Sequence, residues 1–229
     1  PSQGLVYPKD NPLSSGKVEI KYMTAKEEDI LTNQSYIEKG TVIDKLLKSL
    51  IVTKINYNDL ITGDKNAIMV AARVLGYGGE YKFTYLEKDY EVNLSDIENK
   101  ELDSSIYESG KNDFNFTLPH SKNVITFKLL THGDDVKIQQ ELLGLKRLNK
   151  ESNRELSTRL KYMITSLNGE TETPKIREFV DTALLARDSR ALREYIQQIQ
   201  PDVDLTFFPD TSDDKKPIPV NINFFWPEL

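Results

Sequence analysis

Apolar residues follow two periods along this chain, and each change of period marks a new element. Val18, Ile20 and Tyr22 alternate with polar residues, as one face of a strand does. Thr24 then opens an acidic helix. Glu27 stands three residues on, at capping-box spacing, and Glu28 and Asp29 place negative charge in the first turn, where the helix dipole favours it. A polar turn at Glu38-Lys39-Gly40 leads to a second helix from Thr41 or Val42, with Val42, Ile43, Leu46, Leu47 and Leu50 on one face. Ile51, Val52 and Ile55 read as a strand, Tyr57-Asn58-Asp59 as a turn, and Thr62-Gly63-Asp64 as a helix start. Ala67, Ile68, Val70, Ala71, Ala72, Val74 and Leu75 make that helix apolar around most of its circumference, which predicts a central buried helix. Arg73 is its odd member, expected to pair with a carboxylate or to snorkel to the surface.

Gly76-Tyr77-Gly78-Gly79 follows a helix, and no Lys-Ser/Thr pair comes next. It therefore reads as a C-cap and not as a phosphate loop, which follows a strand and opens a helix. Tyr81, Phe83 and Tyr85 alternate before Leu86-Glu87-Lys88-Asp89, and Tyr90, Val92 and Leu94 alternate after it, a hairpin with one aromatic face. Residues 95–112 are polar, with one helical turn expected around Ile97 to Leu102. Residues 114–118 and 124–129 predict a second hairpin, with His120 in its turn. From Asp134 the period becomes helical. Asp134 or Asp135 caps a helix carrying Val136, Ile138, Leu142, Leu143, Leu145 and Leu148, and a break is expected at Lys150 to Asn153. Leu156, Leu160, Met163, Ile164 and Leu167 continue at helical spacing until Asn168-Gly169. Thr173 with Pro174 starts another helix, and Asp188 caps a short last one that ends at Pro201. Val203, Leu205 and Phe207, then Ile218, Val220, Ile222 and Phe224, alternate as strands around a very polar loop.

The pattern predicts an α+β fold of mixed strands and helices, with β-hairpins flanking a helical C-terminal region. Its expected parts are an extended N-terminal arm over 1–16, a mixed domain with two hairpins over 17–133, a helical region over 134–200, and a C-terminal hairpin with an aromatic tail over 201–229. Pro1, Pro8 and Pro12 favour the arm, because proline fixes φ and removes a donor. Leu5, Val6 and Tyr7 are its apolar knot: the arm is either a disordered leader or a strap that orders against a neighbouring subunit. Phe224, Phe225 and Trp226 close the chain either as a plug into its own core or as a docking peptide.

Composition narrows the chemistry. The 229 residues suffice for a sizeable core, and 36 acidic against 30 basic residues give a formal charge of −6. That balance disfavours non-specific nucleic-acid binding and a polybasic membrane anchor. With no cysteine, disulfides, thiol catalysis and thiolate metal sites are excluded, and two histidines cannot make a multi-histidine metal site within one chain. No cofactor is expected. No apolar run reaches the roughly 18 residues of a membrane span, and the first residues lack the basic and apolar regions of a signal peptide, so synthesis in the cytoplasm is the default expectation. Glu27, Glu28 and Asp29 could be mistaken for acid–base carboxylates, but adjacent helical residues point to different faces, and caps explain them better.

Several segments together resemble the baseplate hub proteins of T-even-like, contractile-tailed bacteriophages. They are residues 22–31 (YMTAKEEDIL), 40–47 (GTVIDKLL), 72–78 (ARVLGYG), 188–193 (DSRALR) with 201–204 (PDVD), and the closing 224–227 (FFWP). The resemblance implies a hub subunit or a hub-assembly chaperone, made in the host cytoplasm and carried in the virion tail baseplate. It implies no enzymatic activity and implies that other hub and tail proteins are the partners. Many relatives carry Cys-x-x-Cys pairs like small zinc ribbons in the two aromatic hairpins. Here residues 84–89 read TYLEKD and 208–213 read FPDTSD, so such a site is ruled out. Leu5, Val6, Tyr7, Glu27, Glu28, Asp29, Phe224, Phe225 and Trp226 are the candidate partner-binding residues. A tail-associated carboxylate glycosidase and a host-interaction adaptor are the alternatives.

Overall fold

A computed structural model of the chain describes residues 1–148, 154–220 and 222–225. The break expected at 150–153 and the candidate Trp226 lie outside the described residues. The fold is α+β: helices predominate, and among the described residues the strands form three small antiparallel sheets.

The first layer is helical. α1 (Ala25–Leu31) starts at Thr24 as its spacing predicts, α2 (Gln34–Glu38) restarts the helix after Asn33, and α3 (Val42–Leu50) follows. Asn33 makes that restart by accepting the Tyr36 N–H on its side chain, a cap that competes with continuation of α1. Val42, Leu46, Leu47 and Leu50 are buried, so α3 carries the apolar stripe its sequence predicts. The flanking strands do not form. Residues 18–22 and 51–55 meet only at an isolated Ile20–Ile51 bridge, because each segment is too short and too polar on its outer side to build a ladder.

α4 (Thr62–Tyr77) is the central helix and buries Ile68, Met69, Val70 and Ala72. Its N-terminal turn touches residues 201–202 so closely that a Cβ on Gly63 would lie 1.7 Å from the Pro201 carbonyl oxygen. Asn66 donates to Asp202 at 3.0 Å in the same contact. Gly78, at φ +84°, ends the helix as a glycine cap. Arg73 neither reaches the surface nor meets a carboxylate among the described residues. It is buried and donates to the carbonyls of Gly78 at 2.6 Å and Glu80 at 2.9 Å, tying the helix end to the next strand.

β1 (Glu80–Tyr85) and β2 (Lys88–Asn93) form the first hairpin, with Tyr85 opposite Lys88. The turn is therefore the pair Leu86-Glu87, both at positive φ, one step tighter than the four-residue turn the alternation suggests. The helical turn expected in 97–102 is replaced by short 3-10 turns at Leu94–Asp96 and Ser104–Ile106. β3 (Phe114–Thr117) and β4 (Val124–Phe127) form the second hairpin.

α5 (His132–Leu148) begins two residues before its expected cap. Thr131 and Asp134 exchange bonds there: Asp134 Oδ2 accepts the Thr131 N–H at 3.2 Å, and Thr131 Oγ1 accepts the Asp134 N–H at 3.3 Å. α6 (Glu155–Met163) stops earlier than its periodicity predicts. Ile164, Thr165, Ser166 and Leu167 form β5 (Ile164–Leu167), which adds to β4 as the third strand of that sheet. Asn168-Gly169 is thus a β-turn, at φ +50° and +84°, and not a helix stop. α7 (Thr173–Thr182) and α8 (Ala186–Ile199) complete the helical region. The C-terminal alternation yields only β6 (Thr206–Phe207) paired with β7 (Lys216–Pro217), and a 3-10 turn at Ile222–Phe225 replaces the expected strand end.

Residues 1–16 are not an extended arm. They wind through turns and a 3-10 helix at Pro12–Ser15, and Val6, Tyr7 and Leu13 join the core. Their prolines and glycines shape turns that fold the segment back onto α4.

Candidate interaction surface

Glu27 is the most heavily bonded carboxylate of the first helical layer. Its carboxylate accepts the Thr24 N–H at 3.0 Å and hydroxyl at 2.7 Å, the Ser49 hydroxyl of α3 at 2.7 Å, and Lys21 Nζ at 2.8 Å. Burial would raise its pKa. The hydrogen bonds from Lys21, Thr24 and Ser49 outweigh that and bring it from 4.5 down to about 2. The side chain is 0% exposed. Glu27 therefore locks α1 to α3 and is closed to any partner in this arrangement, whereas its neighbours Glu28 and Asp29 are exposed.

The other candidate residues divide in the same way. Tyr7 is buried, and its hydroxyl donates to Asp64 Oδ2 at 2.7 Å while accepting the Ile61 N–H at 3.1 Å. Burial and the Asp64 carboxylate keep that phenol protonated far above the usual range. Val6 is also buried and Leu5 is half-buried. Phe224 and Phe225 are both 0% exposed, and Phe224 lies edge-on to Tyr81 at 5.1 Å. Phe207 fills the same aromatic cluster against Phe83, Tyr85 and Tyr90, so at Phe224 and Phe225 the chain plugs its own core.

A second polar cluster centres on the half-buried Asp44 of α3. Asp44 accepts from Tyr57 Oη at 2.9 Å and pairs with Lys65 at 2.6 Å, and His132 Nδ1 stands 3.8 Å away. Burial lowers the His132 pKa, leaving a neutral ring edge-on to Tyr57 at 4.6 Å. His120 lies elsewhere: its backbone N–H is bound by Asp188 of α8. The two histidines are thus not brought together. Among the described residues no group of three or more His, Asp and Glu is placed to hold a metal.

The open surface has a different composition. A groove of about 330 Å³ runs between α6 and α8. Leu130, Leu160, Met163 and Ile196 form its floor, and Leu156 stands half-exposed at its edge. Lys100, Arg159, Arg193 and Asp202 are charged residues on its walls. Sequence periodicity gives Leu156 a place on a helical apolar stripe and does not single out Arg193. The signal it lacks is which two helices flank a gap, and that depends on α6 ending at Met163 so that the chain can turn into β5.

No helix among the described residues is long and apolar enough to cross a membrane. The sequence matches the family described as T4 bacteriophage base plate protein over residues 7–199. No curated protein and no solved structure matches it. The matched span begins at Tyr7, one of the residues that holds the N-terminal segment to Asp64, and runs through every helix to the end of α8. The chain belongs to the T4 bacteriophage base plate protein family, a structural constituent of the phage tail that works among other baseplate proteins.

Proposed function

We propose that the chain is a subunit of the baseplate hub, or a factor that assembles the hub, and that it acts by protein–protein binding without catalysis. Within that family, the observation that carries this reading is the joint resemblance to hub proteins of residues 22–31, 40–47, 72–78, 188–193 with 201–204, and 224–227. The physical character of the chain agrees with it. Buried Glu27, Asp134 and Asp188 and half-buried Asp44 are each bonded to neighbouring segments in ways that hold the fold. Exposed Glu28 and Asp29 belong to the proposed binding surface. Mass spectrometry of finished particles and of baseplate intermediates tests the reading, with antibody labelling of tails. A hub subunit is present in both, and an assembly factor only in intermediates. Absence from both overturns it.

A further inference from the structure

We propose that the groove between α6 and α8 receives an acidic, amphipathic helical segment of another baseplate protein. This inference rests on the function proposed above and names the chemistry of one partner. The groove combines two properties. Its floor is aliphatic, and its walls carry three cations and one carboxylate on a chain whose formal charge is −6.

The cations have spare bonding capacity. Among the described residues Lys100 and Arg193 make no ion pair with a carboxylate, and Arg193 has only a long bond from Nε to the Ser189 carbonyl at 3.3 Å. Arg159 lies 3.1 Å from Asp135, but that carboxylate oxygen has no hydrogen-bonding partner, so the pair lacks good geometry. The one wall carboxylate is already engaged, because Asp202 Oδ1 accepts from Asn66 at 3.0 Å and from the Val203 N–H at 2.9 Å.

Spacing supplies the shape. On the α6 side the groove is lined by Leu156, Leu160 and Met163 at i, i+4 and i+7, and on the α8 side by Arg193, Ile196, Gln197 and the C-cap Gln200 at i, i+3, i+4 and i+7. Each helix thus presents a whole stripe to the gap, as in grooves that take a third helix with apolar anchors at its centre and charges at its flanks. Asp and Glu on those flanks would meet Lys100, Arg159 and Arg193, giving steering and register. A duplex or an anionic membrane fits poorly, since it offers nothing to the aliphatic floor and would face the rest of an acidic chain.

The chain has no cysteine, so one introduced thiol is a unique probe. A Gln197→Cys chain carrying a photo-crosslinker is co-expressed with the other baseplate proteins of its phage, and the linked peptide is sequenced. The expected product is a single helical segment with an apolar stripe flanked by Asp and Glu. Lys100→Glu with Arg193→Glu should weaken that complex at least tenfold and raise no aggregation. Lys54→Glu, at an exposed site away from the groove, should leave it unchanged, and Lys substitutions in the captured segment should restore binding to the double variant. Links to a second copy, to lipid or to nucleic acid overturn the proposal, as does a linked segment that the double variant still binds. A chain found in intermediates that forms no link through residue 197 removes the groove alone. A chain absent from both tails and intermediates removes the hub reading and the groove together.

Discussion

Asp188 on α8 grips the backbone of Ser121 in the β3–β4 turn: its Oδ2 accepts the Ser121 N–H at 2.9 Å, and its Oδ1 accepts that of His120 at 2.8 Å. The side chain is fully buried. An aspartate that looks like a helix cap in sequence thus spends both oxygens on a distant turn and joins the last helix to the middle sheet. Burial alone would raise its carboxyl, but the two N–H groups outweigh that and keep it ionised below the usual carboxylate range. Asp188→Asn retains one acceptor and turns an amide N–H toward the other donor. Bonds to charged groups are worth about 1.5–3 kcal/mol each, so a loss of about 2–3 kcal/mol, or roughly 5–10 °C in Tm, is expected by calorimetry. No change in Tm would show that the turn holds without the carboxylate.

The acidic first turn of α1 separates into two roles. Glu27 is locked between α1 and α3, whereas Glu28 and Asp29 are exposed. Glu27→Lys should unfold the first helical layer, because it buries a cation beside Lys21. The pair Glu28→Lys with Asp29→Lys should keep the fold by circular dichroism and lower Tm by only a few degrees, from the helix dipole, while weakening co-purification with baseplate partners. Equal melting of both variants would assign all three residues to the fold alone.

Glu27 also predicts a pH dependence. Its folded pKa of about 2 lies below the ordinary 4.5. A group depressed on folding contributes stability that is fully present above the unfolded value and lost as pH falls through the folded one. The contribution is on the order of 3 kcal/mol and should fade between about pH 5 and pH 2. Urea titrations of the parent and of Glu27→Gln should converge as the pH approaches 2, and parallel curves over that range would contradict the assignment.

Gly63 is required by contact and not by backbone angle. A Cβ there would meet the Pro201 carbonyl oxygen at 1.7 Å and its carbon at 2.6 Å, both backbone atoms. Gly63→Ala should therefore force α4 from residues 201–202, breaking the Asn66–Asp202 bond, at a cost above the about 1 kcal/mol that alanine normally gains over glycine in a helix. Hydrogen exchange should show faster opening at Lys100 and Asp204, whose amides tie residues 98–100 to residues 202–204 beside this junction. Unchanged protection would show that the junction can widen.

The β1–β2 turn can be improved. Leu86 and Glu87 occupy φ +47° and +63°, a conformation that costs an ordinary residue about 1–2 kcal/mol, and Leu86 is 75% exposed. Leu86→Asn with Glu87→Gly supplies the residues such turns prefer and should raise Tm by several degrees. A fall in Tm would mean that Leu86 packs in solution.

Much of the fold could be read from local pattern because local physics decides it. The α3 stripe, the Gly78 cap, and both hairpins depend on residues within a few positions of one another. The failures share a cause in long-range contact. Leu160, Met163, Ile164 and Leu167 fit a helical period, yet β4 needs a third strand and takes the β-branched Ile164-Thr165 for it. Asn168-Gly169 already carried that signal, since the pair is a stronger mark of a hairpin than of a helix end. The N-terminal segment looks extended until Asp64, far along the chain, collects the Tyr7 hydroxyl and the Ser2 N–H. At the candidate surface the sequence identifies the exposed acids of α1, but not that Glu27 turns inward, because Ser49 completes its shell from another helix. The groove was illegible for the same reason: its walls come from two helices separated in sequence by a strand and a third helix.

The aromatic plug has a consequence for the order in which the protein can be made. Tyr81 packs against Phe224 and Phe83 against Phe207, residues that the ribosome adds only after α8 is complete. At about 5–20 residues per second, the first hairpin waits on the order of ten seconds with its aromatic face bare. Over that interval the nascent chain carries an uncovered aromatic face, and a chain cut short before Phe207 would leave that face open.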